Sequence, residues 1–200
     1  MKALHRPELF SWSVFDERLN LDFNGYAWVR AGGNVLVDPV AMSEHDRAHL
    51  ASLGGAAWIV VTNSDHVRAT REVAAHFGAQ VAGPRGEREG LPISCDRWLG
   101  SDDELVPGLR VLELDGSKTP GELALVLDET TLVTGDLVRC HTAGSLTMLP
   151  AKKLRDRAAA VASIRALLDL QPIEAVLVGD GWPVFRDGRL RIAELVASLQ

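Results

Sequence analysis

Ala57-Trp58-Ile59-Val60-Val61 runs into Thr62-Asn63-Ser64-Asp65-His66, and fifteen residues after His66 the chain reaches Val81-Ala82-Gly83. The first five residues are a continuous apolar run bounded by turn chemistry, the pattern of a strand buried on both faces. Beyond the polar turn, Ala69, Val73 and Phe77 recur at helical spacing, and Gly78 stands where a C-cap glycine belongs. Val81 then opens a second short strand. Strand, turn, helix, strand is a βαβ unit, and it assigns the chain to the α/β class.

Outward from that unit the same alternation continues. Residues 23–29 read as a strand, Gly32-Gly33-Asn34 as a turn, and Val35-Leu36-Val37 as a returning strand that stops at Asp38-Pro39. Ser43 is placed to cap a short helix over 44–53, closed by Gly54-Gly55. Residues 85–100, with Pro84, Gly86, Gly90 and Pro92 in or beside them, read as an exposed loop with weak local order. Strands follow over 109–114, 123–127 and 131–133, with Asp128-Glu129-Thr130 turning between the last two. The spacing of Leu154, Ala158, Val161, Ile164 and Leu168 predicts a helix over 152–170, stopped at Gln171-Pro172. Ala175-Val176-Leu177-Val178 is one more buried strand, and 191–199 a terminal helix.

Composition narrows the function classes. Two hundred residues, 46% of them hydrophobic, suffice for one sizeable core, and no linker or charge block divides them, so a single domain over 1–200 is expected. A formal net charge of -6 with dispersed basic residues lacks the clustered basic face of a nucleic-acid binder. Cys95 and Cys140 have no CxxC spacing, and no apolar run reaches membrane-spanning or signal-peptide length. A cytoplasmic protein is expected, with a small-molecule ligand and without nucleic-acid or membrane partners; homo-oligomerisation is compatible with this composition.

Four polar segments each follow an apolar run: Thr62-Asn63-Ser64-Asp65-His66, Lys118-Thr119-Pro120-Gly121, Thr134-Gly135-Asp136 and Val178-Gly179-Asp180-Gly181. Their order and spacing resemble the metallo-β-lactamase superfamily, whose motifs run T-H-x-H-x-D-H, G-H-T-P-G, G-D and G-H. The resemblance covers roughly residue 24 to the end. It implies a four-layer αββα sandwich with the active site along one edge, and hydrolysis by a hydroxide held between two metal ions. Most of the ligand histidines are replaced. Lys118 and Asp180 stand at two histidine positions, and Asp136 alone matches without qualification. The first motif aligns in two ways. A gapped alignment puts Asp65-His66 on D-H; an ungapped one puts Asn63 and Asp65 on the first two histidines and Arg68 on the last.

Two chemistries follow from that degenerate set. In the first, Asp65, His66, Asp136 and Asp180 hold one divalent ion, Zn, Mn or Fe, whose bound water attacks an ester, thioester or phosphoester. Asp136 and Lys118 are then the catalytic pair, with the lysine stabilising an oxyanion. In the second, no metal binds. The three carboxylates are balanced by Lys118, Arg68 and a protonated His66, and the pocket is a small-molecule site or a structural remnant. Asn63, Arg68, His141 and Trp182 are the candidate ligand contacts in either case. Asn63 equally suits an Asx turn. His45 with His49 at i, i+4, His76, Cys140 and Trp98 are read as surface, helix-end or packing residues.

Overall fold

The computed structural model describes residues 1–170 and 172–199. Gln171, half of the expected helix stop, and Gln200, the end of the expected domain, lie outside them. Among the described residues, thirteen strands and four α-helices form an αββα sandwich. The first sheet has seven strands in sequence order: β1 (Lys2–Ala3), β2 (Leu9–Asp16), β3 (Leu21–Trp28), β4 (Val35–Val37), β5 (Trp58–Val60), β6 (Gln80–Pro84) and β7 (Arg97–Leu99). It is antiparallel up to β4 and parallel from β4 to β7. The second sheet takes β8 (Leu109–Leu114), β9 (Glu122–Leu127), β10 (Thr131–Thr134) and β13 (Ala175–Val178) in the order β13-β10-β9-β8, with β10 and β13 parallel. A separate hairpin pairs β11 (Val138–Thr142) with β12 (Ser145–Met148).

Three apolar clusters correspond to the three interfaces between four layers. Val35, Val37 and Val60 meet Leu123, Leu125, Val133 and Leu177 between the sheets. Leu36 and Ile59, on the other face of their strands, pack with Leu50 of α1 (Glu44–Ser52) and Val73 of α2 (Thr70–Phe77). Leu132, Val176 and Val178 pack with Ile164 of α3 (Arg157–Ala166) and Ile192 of α4 (Gly188–Ser198). Strands covered on both faces have no polar side to show, which is why their sequences are unbroken apolar runs.

Several sequence expectations shift. Residues 85–100 are not a weakly ordered loop: β7 pairs in parallel with β6, and Leu91 and Ile93 pack on Val61 and Val81. Their apolar residues are separated by proline and glycine, so no periodicity marks them. The helix expected from residue 152 begins instead at Arg157. Leu154 is extended at ψ 141°, and Asp156 caps the helix by accepting from the Ala158 and Ala159 amides. Strands β1, β2, β11 and β12 come in addition to the expected elements.

The sheets converge so that the C-terminal ends of β4, β5, β10 and β13 share one edge, the place where open α/β sheets collect ligands. Two residues of β3 fix that edge across the sandwich. Tyr26 donates its hydroxyl to the Val178 carbonyl at 2.7 Å, and Asn24 donates Nδ2 to the carbonyls of Val178 (3.0 Å) and Gly181 (2.7 Å). The Asn24 amide also donates to the Gly179 carbonyl, so the turn carrying Asp180 is held from below. Removing a buried donor leaves its acceptors unpaired at a cost of about 1–3 kcal/mol. Asn24→Ala is therefore expected to lower the urea unfolding free energy by about 2 kcal/mol; an unchanged midpoint and slope would show that the turn holds itself.

Candidate functional site

Asp38 ends β4 and Thr62 follows β5, one strand away. The Thr62 amide donates to Asp38 Oδ1 at 2.7 Å and its hydroxyl to Oδ2 at 2.6 Å. His66 Nδ1 lies 2.7 Å from the same Oδ2. Asp38 reaches this position with φ at +48°, in the left-handed region that few non-glycine residues occupy. His66 itself sits in a short 3-10 turn, Ser64–His66, which Asn63 caps by accepting from the Asp65 and His66 amides. Glycines make room at two points. A Cβ at Gly135 would lie 2.8 Å from both Asn63 Nδ2 and Thr62 Oγ1, and one at Gly179 would lie 2.5 Å from His66 Cε1.

Above this base lie the carboxylates and their cations. Asp136 follows β10 and Asp180 follows β13, so the parallel pairing of those strands brings the two side by side. Arg139 of β11 donates Nη2 to Asp136 Oδ1 at 3.2 Å and pairs with Asp180 Oδ2. Arg68, also at positive φ (+42°), donates Nη2 to Asp180 Oδ1 at 3.0 Å and Nη1 to the Asn24 carbonyl at 2.9 Å. The same Nη2 stands 3.1 Å from His66 Nε2. Lys118, in the β8–β9 connection, pairs with Asp65 at the half-exposed rim.

Burial and the Arg68 guanidinium disfavour the imidazolium of His66. Asp38 and Asp136 favour it more, so its pKa lies above the ordinary 6.5. In the arrangement observed, Arg68 presents a donor to Nε2. That contact suits the tautomer whose proton is on Nδ1, towards Asp38. Lys118 is held charged chiefly by its hydrogen bond to Asp65. Burial, then Arg139, lowers the pKa of His141, which lines the cleft from β11.

Among the described residues, His66, Asp136 and Asp180 form one group able to offer a metal three ligand atoms, all within 4.8 Å of one another. Those atoms are largely engaged. Both Asp180 oxygens and Asp136 Oδ1 accept from guanidinium groups, and His66 Nε2 faces Arg68. Asp136 Oδ2 alone is buried without a partner. A divalent ion at this point would share its ligands with two guanidinium cations, so the residues present do not fit a two-ion centre. Asp65 pairs with Lys118 and Arg68 with Asp180; in the ungapped alignment of the first motif all four of these residues stand at histidine positions.

The remaining expected contacts divide. His141 and Arg68 line the cleft. Asn63 is wholly buried in its capping role, and Trp182 is 57% exposed and outside the cleft lining. Three important residues escaped sequence reading. Asp38 passes for a strand terminator, although its place at a strand end beside Thr62 was a usable signal. Arg139 lies three residues beyond Asp136 in a strand with no clear apolar pattern. Glu122, beside the K-T-P-G segment, is fully buried, with Oε1 accepting the Leu137 amide at 2.8 Å and Oε2 2.5 Å from Ser117 Oγ.

Burial, assisted by the Asp136 charge, pushes Glu122 up to about 8. Across the window from its ordinary 4.5 to about 8, the folded chain keeps a proton that the unfolded chain has lost. This contribution to stability is complete below 4.5 and declines by up to about 1.4 kcal/mol per pH unit as pH rises through that window. Glu122→Gln resembles the protonated acid and should flatten the fall in stability between about pH 5 and 8. Denaturant titrations of both proteins at several pH values test this, and parallel profiles would count against a neutral Glu122.

Comparison with known proteins agrees with this architecture. A family model described as the metallo-beta-lactamase superfamily matches residues 1–199, extending the resemblance to the N-terminal strands. No curated protein matches. Among solved structures, a metallo-beta-lactamase family protein from Thermus thermophilus is similar at 22% identity and TM-score 0.70, over 96% of this chain and 79% of that one. A metallo-beta-lactamase from Erythrobacter litoralis, solved with beta-mercaptoethanol in its active site, aligns at 16% identity and TM-score 0.75, over 96% and 94%. TTHA1623, solved in a di-iron-bound form, aligns at 24% identity and TM-score 0.68, over 92% and 98%. At these identities the solved structures speak for the fold, and the family model, matching nearly every residue, carries membership: this chain belongs to the metallo-β-lactamase superfamily.

Proposed function

We propose that this protein is a metal-independent member of its superfamily that binds a small molecule at the shared sheet edge, its ion pairs taking the place of a dinuclear centre. The observation that carries this reading is the capture of Asp180 by both Arg68 and Arg139. A guanidinium is always charged at physiological pH and supplies directional donors to a carboxylate. It neutralises the acid and occupies its lone pairs at the same time, which removes what a metal would need. The Lys118–Asp65 pair does this on the other side of the cleft.

The superfamily's hydrolytic chemistry, in which metal ions generate the nucleophile, is assigned here to no residue. Asp38, Thr62 and His66 in this reading are a framework that holds Arg68 against Asp180. A single-ion hydrolase is the competing reading, supported by the close grouping of His66, Asp136 and Asp180.

Elemental analysis separates the two. Protein purified without chelator or affinity nickel, then incubated with excess Zn, Mn or Fe and desalted, is expected to retain no stoichiometric metal. Retention of about one ion per chain, lost in Asp136→Ala, would overturn the metal-independent reading and reinstate a metal-bound water.

A further inference from the structure

The cleft above the ion pairs has a volume of about 830 Å³, within the range of small-molecule sites. Its walls differ in kind. Val14, Leu19, Leu21 and Phe23 of the β2–β3 hairpin, with Val40, make one side apolar. Val14 and Leu19 are 40% and 53% exposed and line the same cleft as Leu21 and Phe23, so the apolar wall is open to a ligand. The cations that line the cleft are Arg68, Arg139, Lys118, Lys152 and Lys153.

Their partners are unevenly supplied. Arg68, Arg139 and Lys118 pair with Asp180, Asp136 and Asp65, while the remaining lining acid, Glu72, pairs with Arg47 outside the cleft. Lys152 and Lys153 sit exposed in the turn Ala151–Lys153, with no carboxylate in ion-pair reach among the described residues. Arg139 is more telling. Its side chain is only 8% exposed, yet Nη2 alone is engaged, and Nε is buried without a partner. Nε is closed off and the ion-pair cluster is itself near balance, with Asp136 Oδ2 also unpartnered; the surplus cations of the cleft are Lys152 and Lys153, and Arg139 Nη1 is a further donor without a partner.

We propose that the cleft takes an amphipathic organic monocarboxylate, its head group on the free side of Arg139 and near Lys152 and Lys153, its apolar body along the β2–β3 wall. The inference rests on the metal-independent reading above and names the class of ligand. A carboxylate suits the free Nη1 of Arg139 and the two lysine ammonium groups. The apolar wall demands a hydrocarbon body, which a free inorganic anion lacks. A neutral lipid would leave the cations unanswered.

Calorimetric titration of the intact protein with decanoate, 1-decanol and acetate, below micelle-forming concentrations, is the test. Decanoate is expected to bind about tenfold or more tightly than either of the others, which corresponds to about 1.4 kcal/mol. Arg139→Gln should weaken decanoate about tenfold. Because that change also unpairs buried carboxylates, Lys152→Ala with Lys153→Ala and, separately, Leu19→Asp provide surface variants expected to weaken it in the same direction. No decanoate binding, decanol binding equally well, or surface variants that bind like the parent would each overturn the proposal. Failure here in a protein that also retains no metal would sink the ligand class alone, whereas stoichiometric metal would sink the reading beneath it.

Discussion

Asp180 is a single carboxylate receiving two guanidinium groups in an almost fully buried setting. Bringing such charges out of water is costly, and it is tolerated only where the geometry satisfies each of them. That requirement reaches far beyond the cluster. Arg68 must be aimed by its backbone and by the Asn24 carbonyl, Arg139 by its place on β11, and Asp180 by a turn anchored to β3. Asp136 adds the second negative charge that keeps the group near neutrality. Loss of one member would leave partners charged and buried, a change that destabilises far more than breaking a surface ion pair.

The sandwich supplies this precision because its strands are locked on both faces. Apolar side chains above and below β4, β5, β10 and β13 leave little freedom at the strand ends, so the polar residues that follow inherit fixed positions. Asp38 and Thr62 come from neighbouring strands of one sheet, Asp136 and Asp180 from neighbouring strands of the other. The Leu123 amide donates to the Thr62 carbonyl at 2.8 Å and so ties the two sheets together beneath the cluster. Glycines at 135 and 179 allow the approach that branched residues would prevent.

Much of this was legible from the chain. Buried strands announce themselves as apolar runs, and Ser43 and Gly78 mark helix ends by local chemistry; the structure places both in those roles. Asp136 and Asp180 stood out because they follow such runs, and Arg68 and Lys118 because the resemblance to the superfamily sets them at histidine positions. What stayed hidden depends on tertiary contact. Arg139 is a lone basic residue in a short strand, and nothing local says that it meets an aspartate 41 positions away. Glu122 has no sequence signal of its own, and it is burial in β9, assisted by the Asp136 charge, that raises its pKa. The start of α3 moved because Leu154 and Asp156 adopt extended geometry, which a helical stripe of apolar residues does not reveal.

Arg68 and Arg139 are cations joined to the protein by their own side chains. Their local concentration is set by the fold, and neither dilution nor a chelator can withdraw them. In the metal-independent reading, a centre made this way is complete as soon as the chain is folded, is indifferent to the supply of any ion, and cannot be loaded with the wrong one. It also gives up exchange. Its two guanidinium charges are fixed by the sequence, and only the acids and the imidazole around them can still answer to pH.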